Sequence, residues 1–139
     1  MRLKYAADVQ FIANCPPPKA QSRHFTGYRL VHNPITEQDF LPIAKTHPAR
    51  FPPGTDRYCW SFSISLFITG EAIRRKFQYV VSTNRNIAKD VGTHIAEGEI
   101  TEADGLSTPP TSRSGHISLF ESEDAQLNSK FMIVEALIQ

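Results

Sequence analysis

The segment Cys59-Trp60-Ser61-Phe62-Ser63-Ile64-Ser65-Leu66-Phe67-Ile68 constrains the fold more than any other, because apolar and small polar residues alternate along it. Neighbouring side chains of a strand point to opposite faces. The pattern therefore predicts a strand over 59–68 with Trp60, Phe62, Ile64, Leu66 and Ile68 toward a core and Ser61, Ser63 and Ser65 on a polar surface. Such a small-residue surface makes a floor for a cleft. At 139 residues the chain is long enough for one domain that buries its own core without metal or disulfide support.

The flanking segments supply the rest of the sheet. Thr26 to His32 reads as a strand with Tyr28, Leu30 and His32 on one face and Arg29 and Val31 on the other, closed by Asn33-Pro34. Thr36-Glu37-Gln38-Asp39 has the form of a capping box, with Ile35 and Phe40 placed as a hydrophobic staple; Pro42 limits that helix to a single turn or restarts it. Residues 47–56, with Pro48, Pro52, Pro53 and Gly54, read as an irregular loop. Thr69 caps a helix in which Ile73, Phe77, Val80 and Val81 recur at helical spacing while Arg74, Arg75, Lys76 and Gln78 face water, and Thr83 to Asn86 is its exit loop. Strands follow over 92–100, 116–120 and 130–138, the first placing Ile95, Glu97 and Glu99 on one face and His94, Ala96, Gly98 and Ile100 on the other. Between them, 104–115 is rich in Ser, Thr, Pro and Gly and reads as a mobile loop. In residues 1–24, Leu3 to Ala13 fits either a strand or a short helix before Cys15-Pro16-Pro17-Pro18 stops regular structure, and an extended arm is one reading of the whole segment. Without regular βαβ alternation, the expected class is a single α+β domain with a mostly antiparallel sheet and two or three short helices.

Lys and Arg number 15 against 14 Asp and Glu, a formal net charge of +1. No overall field draws in nucleic acid or an anionic membrane, so neither is an expected partner. The cluster Arg74-Arg75-Lys76, followed by Arg85 and Lys89, reads first as a solvated helix face, although the same strip suits phosphate or an acidic partner. Cys15 and Cys59 lie far apart and form no CxxC pair, which argues against a zinc knuckle or a disulfide framework and favours a reduced, cytoplasmic chain. The first residues lack the apolar run of a secretory signal, and no stretch approaches the roughly 18 apolar residues that a spanning helix needs. Neither GxxxxGK[ST] nor GxGxxG occurs, which sets aside kinase, P-loop and dinucleotide-fold readings.

Three polar features follow one another along the chain: Arg29, the Ser61/Ser63/Ser65 stripe, and Glu97-Gly98-Glu99. Their order resembles the Arg, Ser-x-Ser and Glu-x-Glu arrangement of ADP-ribosyltransferase-like domains, including toxin modules of bacterial conflict systems. The resemblance implies that Arg29 holds the phosphates of NAD, that Ser61 or Ser63 shapes the nicotinamide pocket, and that Glu99 stabilises the oxocarbenium-like ribose with Glu97 orienting substrate. The chemistry is coherent, since a planar guanidinium matches pyrophosphate oxygens and a carboxylate offsets positive charge at a ribose carbon.

Simpler readings stand beside this one. Alternating serines ordinarily mean that one face meets solvent, and an Arg and a Glu on exposed strands ordinarily make a weak cross-strand ion pair. His32, His94 and His116 all fall in predicted strands and would converge with Glu97 or Glu121 if those strands were neighbours, but their spacing matches no zinc signature, so no metal is expected. His94 and His116 remain candidate site residues. The competing function is a non-catalytic binding or regulatory module that presents the Pro-rich loops 47–57 and 104–115 to a protein partner. A third is a homo-oligomer joined through the apolar segment Phe131 to Ile138 as an edge strand.

Overall fold

Two seven-residue strands, β1 (Phe25–Val31) and β3 (His94–Ile100), pair antiparallel along their whole length and form the spine of the structure. The computed structural model describes residues 1–84 and 86–138. Four further strands, β2 (Ile64–Phe67), β4 (Gly105–Ser107), β5 (His116–Glu121) and β6 (Met132–Ala136), extend the pair into one antiparallel sheet of order β4-β5-β2-β1-β3-β6. Helices α1 (Ala6–Val9), α2 (Ile43–Thr46), α3 (Gly70–Thr83), α4 (Ile87–Val91) and α5 (Leu127–Lys130) complete an α+β domain, and only α3 is longer than five residues. No described helix is long and apolar enough to cross a membrane.

The register decides which side chains share a face. Thr26 lies opposite Glu99 and Tyr28 opposite Glu97, whereas Arg29 lies opposite Ala96 and Gly27 opposite Gly98. The face carrying Tyr28, Phe67 and Ile95 is covered by α3 through Ala72 and Ile73. α3 forms where the period of 3.6 predicts it: the Thr69 hydroxyl accepts from the Ala72 N–H at 3.0 Å, and Ala72, Ile73 and Phe77 are buried. The opposite face carries the larger core, where Val31, Leu66, Ala96 and Leu119 pack under Phe40 and Phe131. Phe40 and Phe131 meet with ring centroids 5.2 Å apart, a geometry worth about 1 kcal/mol beyond the area they bury.

Phe40 arrives through the capping box read from the sequence. Glu37–Phe40 is one 3-10 turn in which the Asp39 carboxylate accepts from the Thr36 N–H at 3.0 Å, and α2 restarts directly after Pro42. Gly98 is required at its position because a Cβ there would stand 2.7 Å from the Phe131 ring.

Several expectations are corrected. The serine-striped strand begins only at Ile64, since Trp60–Phe62 is a 3-10 turn whose side chains do not alternate across a sheet. Tertiary constraints override the alternation there: Cys59 is bonded to Cys15, and the Ser61 and Ser63 hydroxyls donate to the carbonyls of Tyr58 and Trp60, three residues back. The cysteines, read as reduced and unpaired, form a disulfide across 44 residues. Arm 1–24 is laid against the domain. Leu3 bridges to Ser122, Gln21 exchanges backbone hydrogen bonds of 2.9 and 2.8 Å with Ser107, and of the strand or short helix open to 3–13 the structure has the helix, α1. Segment 104–115, read as a loop, contains β4, and α4 stands where the sequence suggested no element. Of the exit loop 83–86, Arg85 lies outside the described residues.

Candidate functional site

The groove beside α3 is built by three local devices. The helical period that buries Ile73 and Phe77 turns Arg75, Lys76 and Tyr79 outward. Across from them, residues 111–116 form a tight turn: Thr111 and Ser114 hydroxyls are 2.7 Å apart, the His116 N–H donates to the Thr111 hydroxyl at 3.2 Å, and Gly115 supplies the positive φ of 71°. This turn sets Arg113 and Ser114 in the second wall. The floor is Phe67 of β2 and Ala72 of α3, and the groove encloses about 220 Å³.

Among the described residues its walls hold three cations, Arg75, Lys76 and Arg113, and no carboxylate. Lys76 Nζ stands 5.9 Å from the centre of the exposed Tyr79 ring. Arg75 has one acidic neighbour, Glu71 at 3.4 Å, in a surface pair of little energetic weight.

Next to the floor residue Phe67, His116 Nε2 and Ser65 Oγ are hydrogen-bonded at 2.9 Å across the β2–β5 pair, and the imidazole meets the Phe67 ring edge-on at 5.5 Å. Burial first, then the positive charges of Lys76 and Arg57, hold the His116 pKa below its ordinary value, so the ring is neutral at neutral pH. Among the described residues no carboxylate is hydrogen-bonded to it. A serine and an imidazole therefore meet without the third group that orients a nucleophilic pair. What the groove offers is positive charge over an aromatic floor, which suits carboxylates or other anions.

The structure separates the residues that the sequence set together. Arg29 lies on the Phe40 side of the sheet, where its Nε donates to the Asp39 carbonyl and a terminal nitrogen donates to the Ser65 carbonyl, both at 2.7 Å. Burial lowers its pKa to about 10, and Asp39 and Glu121 act against that shift. Glu97 and Glu99 are exposed on the other face. Glu99 accepts from the Thr26 hydroxyl at 2.7 Å, which lowers its pKa, and Glu97 lies opposite Tyr28 and raises the pKa of that hydroxyl. Ser61 is buried and Ser63 half-buried, each with its hydroxyl committed to the backbone; Ser61 also borders a second cleft of about 260 Å³, formed with Lys45, Phe51, Tyr58 and Phe62.

The three histidines do not converge. His32 Nδ1 bonds the Asp39 carboxylate at 2.6 Å, His94 Nδ1 pairs with the Thr93 hydroxyl at 3.0 Å, and His116 pairs with Ser65. Among the described residues no three His, Cys, Asp or Glu side chains are grouped as metal ligands.

Of the sequence candidates, then, Ser65, the third serine of the stripe, is met by two, His116 at its hydroxyl and Arg29 at its carbonyl, and Glu97 and Glu99 by neither. Lys76 is part of the basic cluster legible in the helix, but Tyr79 and Arg113 were missed as site residues. Arg113 lies 37 positions beyond Lys76 in the chain, and only the fold brings them to one groove. Protein-family models, curated proteins and solved structures show no significant match to the chain.

Proposed function

We propose that the chain is a non-catalytic binding module that takes an acidic segment of a partner protein into the groove between α3 and the 111–116 turn. The observation that carries this reading is the concentration of Arg75, Lys76 and Arg113 around an aromatic floor without a carboxylate in the walls, on a chain whose net charge is only +1. A local cationic concavity on a nearly neutral protein attracts a matching anionic segment without attracting polyanions in general. Arginine forks at the rim suit bidentate carboxylate binding, and Tyr79 adds a flat amphipathic surface. The turn belongs to the Pro-rich segment 104–115, one of the two loops that the binding-module reading assigns to a partner. The Cys15–Cys59 bridge supports work in an oxidising compartment rather than the cytoplasm.

The transferase reading requires Arg29, the serine face and Glu99 in one cleft, and the β1–β3 register sets Arg29 and Glu99 on opposite faces of the sheet. Binding of a labelled Asp/Glu-rich peptide, followed by fluorescence anisotropy, tests the module. Affinity should fall with added salt and be lost in the Lys76→Glu, Arg113→Glu double variant. Equal binding by that variant, or preference for an oligonucleotide of the same charge, would refute it. Nicotinamide release from NAD by the wild type but not by Glu99→Ala would instead favour the transferase.

A further inference from the structure

We infer that His32 is a pH-operated clasp: its doubly protonated ring ties α4 to the Glu37–Phe40 turn, and loss of one ring proton releases α4. The ring stands between two acceptors, with Nδ1 2.6 Å from Asp39 Oδ1 and Nε2 2.7 Å from the Lys89 carbonyl oxygen. A carbonyl oxygen only accepts. Both oxygens of the Asp39 carboxylate accept as well, since Oδ1 also takes the His32 N–H and Oδ2 the Thr36 N–H, each at 3.0 Å. A neutral imidazole carries one N–H and makes only one of the two ring bonds. The imidazolium makes both.

The two elements joined by the ring are held to very different degrees. Asp39 has its side chain 2% exposed, and its turn is anchored by the capping box, by Phe40 in the core and by Arg29 Nε on the Asp39 carbonyl. α4 has five residues, of which Lys89 and Asp90 are exposed. It hangs between two bends. Before it, the Asn86 N–H donates to the Asn84 side chain at 3.0 Å; after it, Gly92 takes a φ of 101° and the Thr93 N–H donates to the Val31 carbonyl at 3.1 Å. The clasp therefore fastens a short, solvated helix to a fixed turn 50 or more residues away in the chain, His32 and Lys89 being 57 positions apart. With its side chain 47% exposed, His32 exchanges protons with the solvent.

The charges around the ring decide which proton leaves. Asp39 on the turn and Asp90 on α4 both favour the charged ring, and Arg29 of β1 is turned to the backbone carbonyl of Asp39. Glu37 of the same turn is exposed, and His94 of β3 is bonded to the Thr93 hydroxyl. A carboxylate is a stronger acceptor than a carbonyl, so Nδ1 keeps its hydrogen and Nε2 gives its own up. The Nε2 lone pair then faces the lone pairs of the Lys89 carbonyl at 2.7 Å, a repulsive contact that α4 relieves by moving off. The clasp is closed at low pH and opens as pH rises through the raised pKa of the ring.

A magnetic resonance titration of the full chain reads both ends of the clasp. The nitrogen shifts of His32 should show both ring nitrogens protonated below the midpoint and Nε2 alone losing its proton above it, and the Lys89 carbonyl carbon should move with the same midpoint. Amide exchange of Asp90 and Val91, corrected for its intrinsic pH dependence, should quicken about tenfold relative to α3 as the clasp opens, the effect of losing one hydrogen bond from a charged donor. In His32→Gln the Lys89 signal should not titrate in this range. A singly protonated ring below the midpoint, an unmoved Lys89 carbonyl, α4 protection independent of pH in the wild type, or an unchanged Lys89 titration in the folded His32→Gln protein would overturn the inference. His32, Asp39 and Lys89 do not line the groove, so the outcome is separate from that of the peptide-binding test.

Discussion

Arg29 donates to the carbonyl of Ser65 at 2.7 Å from the core side of the sheet, while the Ser65 hydroxyl is taken by His116 on the α3 side. Only one residue pair, Tyr28 with Phe67, registers β1 against β2, so the guanidinium supplies hydrogen bonding where the ladder stops. The arginine read as a phosphate ligand thus acts as a structural bridge under the strand that carries the groove floor.

Replacing Arg29 with Met should therefore destabilise the protein by about 2–4 kcal/mol, because two carbonyls lose a charged donor in a partly buried setting. Lys at this position should recover little, since a point charge cannot reach both acceptors as the fork does. Glu99→Ala should cost less than about 0.5 kcal/mol, as expected of an exposed strand residue. A double-mutant cycle on Arg29 and Glu99 by urea denaturation should show additivity within about 0.5 kcal/mol; a larger coupling would contradict their placement on opposite faces.

Asp39 collects three hydrogen bonds, from the Thr36 N–H, the His32 N–H and His32 Nδ1, while the other ring nitrogen of His32 faces the Lys89 carbonyl at 2.7 Å. The Lys89 carbonyl, then Asp39, raise the His32 pKa above its ordinary value. The folded state binds this proton more tightly than the unfolded chain, so its stabilisation is complete below the ordinary histidine range and is lost as pH rises through the raised value. His116 has the opposite sign: its lowered pKa gives stabilisation that is present above the ordinary range and lost as pH falls. Melting temperatures of His32→Gln and His116→Gln against pH should differ from wild type on opposite limbs of the profile.

The cationic groove acts on His116 through Lys76. Lys76→Glu should raise the His116 pKa, read from its imidazole proton shifts in an NMR titration, whereas Arg50→Glu, outside the groove, should leave it in place. An unmoved His116 in the Lys76 variant would remove the electrostatic link between helix and strand.

Opening the Cys15–Cys59 bridge with Ser at both positions should lower stability by about 2–4 kcal/mol, since a cross-link over 44 residues restricts the unfolded chain. Chemical denaturation of the variant against the oxidised wild type measures it. Stability equal to the wild type would mean that the arm is held by its other contacts alone.

Filling Gly98 should be costly although the change is a single methyl. Gly98→Ala drives its Cβ into the Phe131 ring, itself packed on Phe40, and should destabilise by about 1–3 kcal/mol. Gly54→Ala, with nothing within 4 Å of an added Cβ, is the comparison for a glycine that meets only backbone strain at its φ of 91°.

Local signals that stand alone were legible in the residues. The Thr69 cap with its buried period gave α3, the Thr36 and Asp39 box gave the turn that delivers Phe40, and apolar alternation gave β1 and β3 with their faces correctly divided and a strand at β5. Each of these depends on residues within one or two turns of one another, where side-chain period and backbone hydrogen bonding are fixed by neighbours in the chain. The serine stripe shows the limit of that argument. Its pattern fits a strand throughout, yet a covalent bond from Cys59 to a distant cysteine and two hydroxyl-to-carbonyl bonds turn its first half into a 3-10 turn.

The candidate site lay beyond the sequence for the same reason. Whether Arg29 faces Glu99 or the opposite layer, and whether His116 meets His94 or Ser65, depends on strand order and on a register in which one residue of slip exchanges every side chain between faces. The sequence by itself determined the α+β class, the amphipathic helix and the parity of β1 and β3. The tertiary structure decided which strands are neighbours, that Cys15 reaches Cys59, and that Lys76 and Arg113 share a groove, because packing energy is gained only between surfaces that the completed fold brings together.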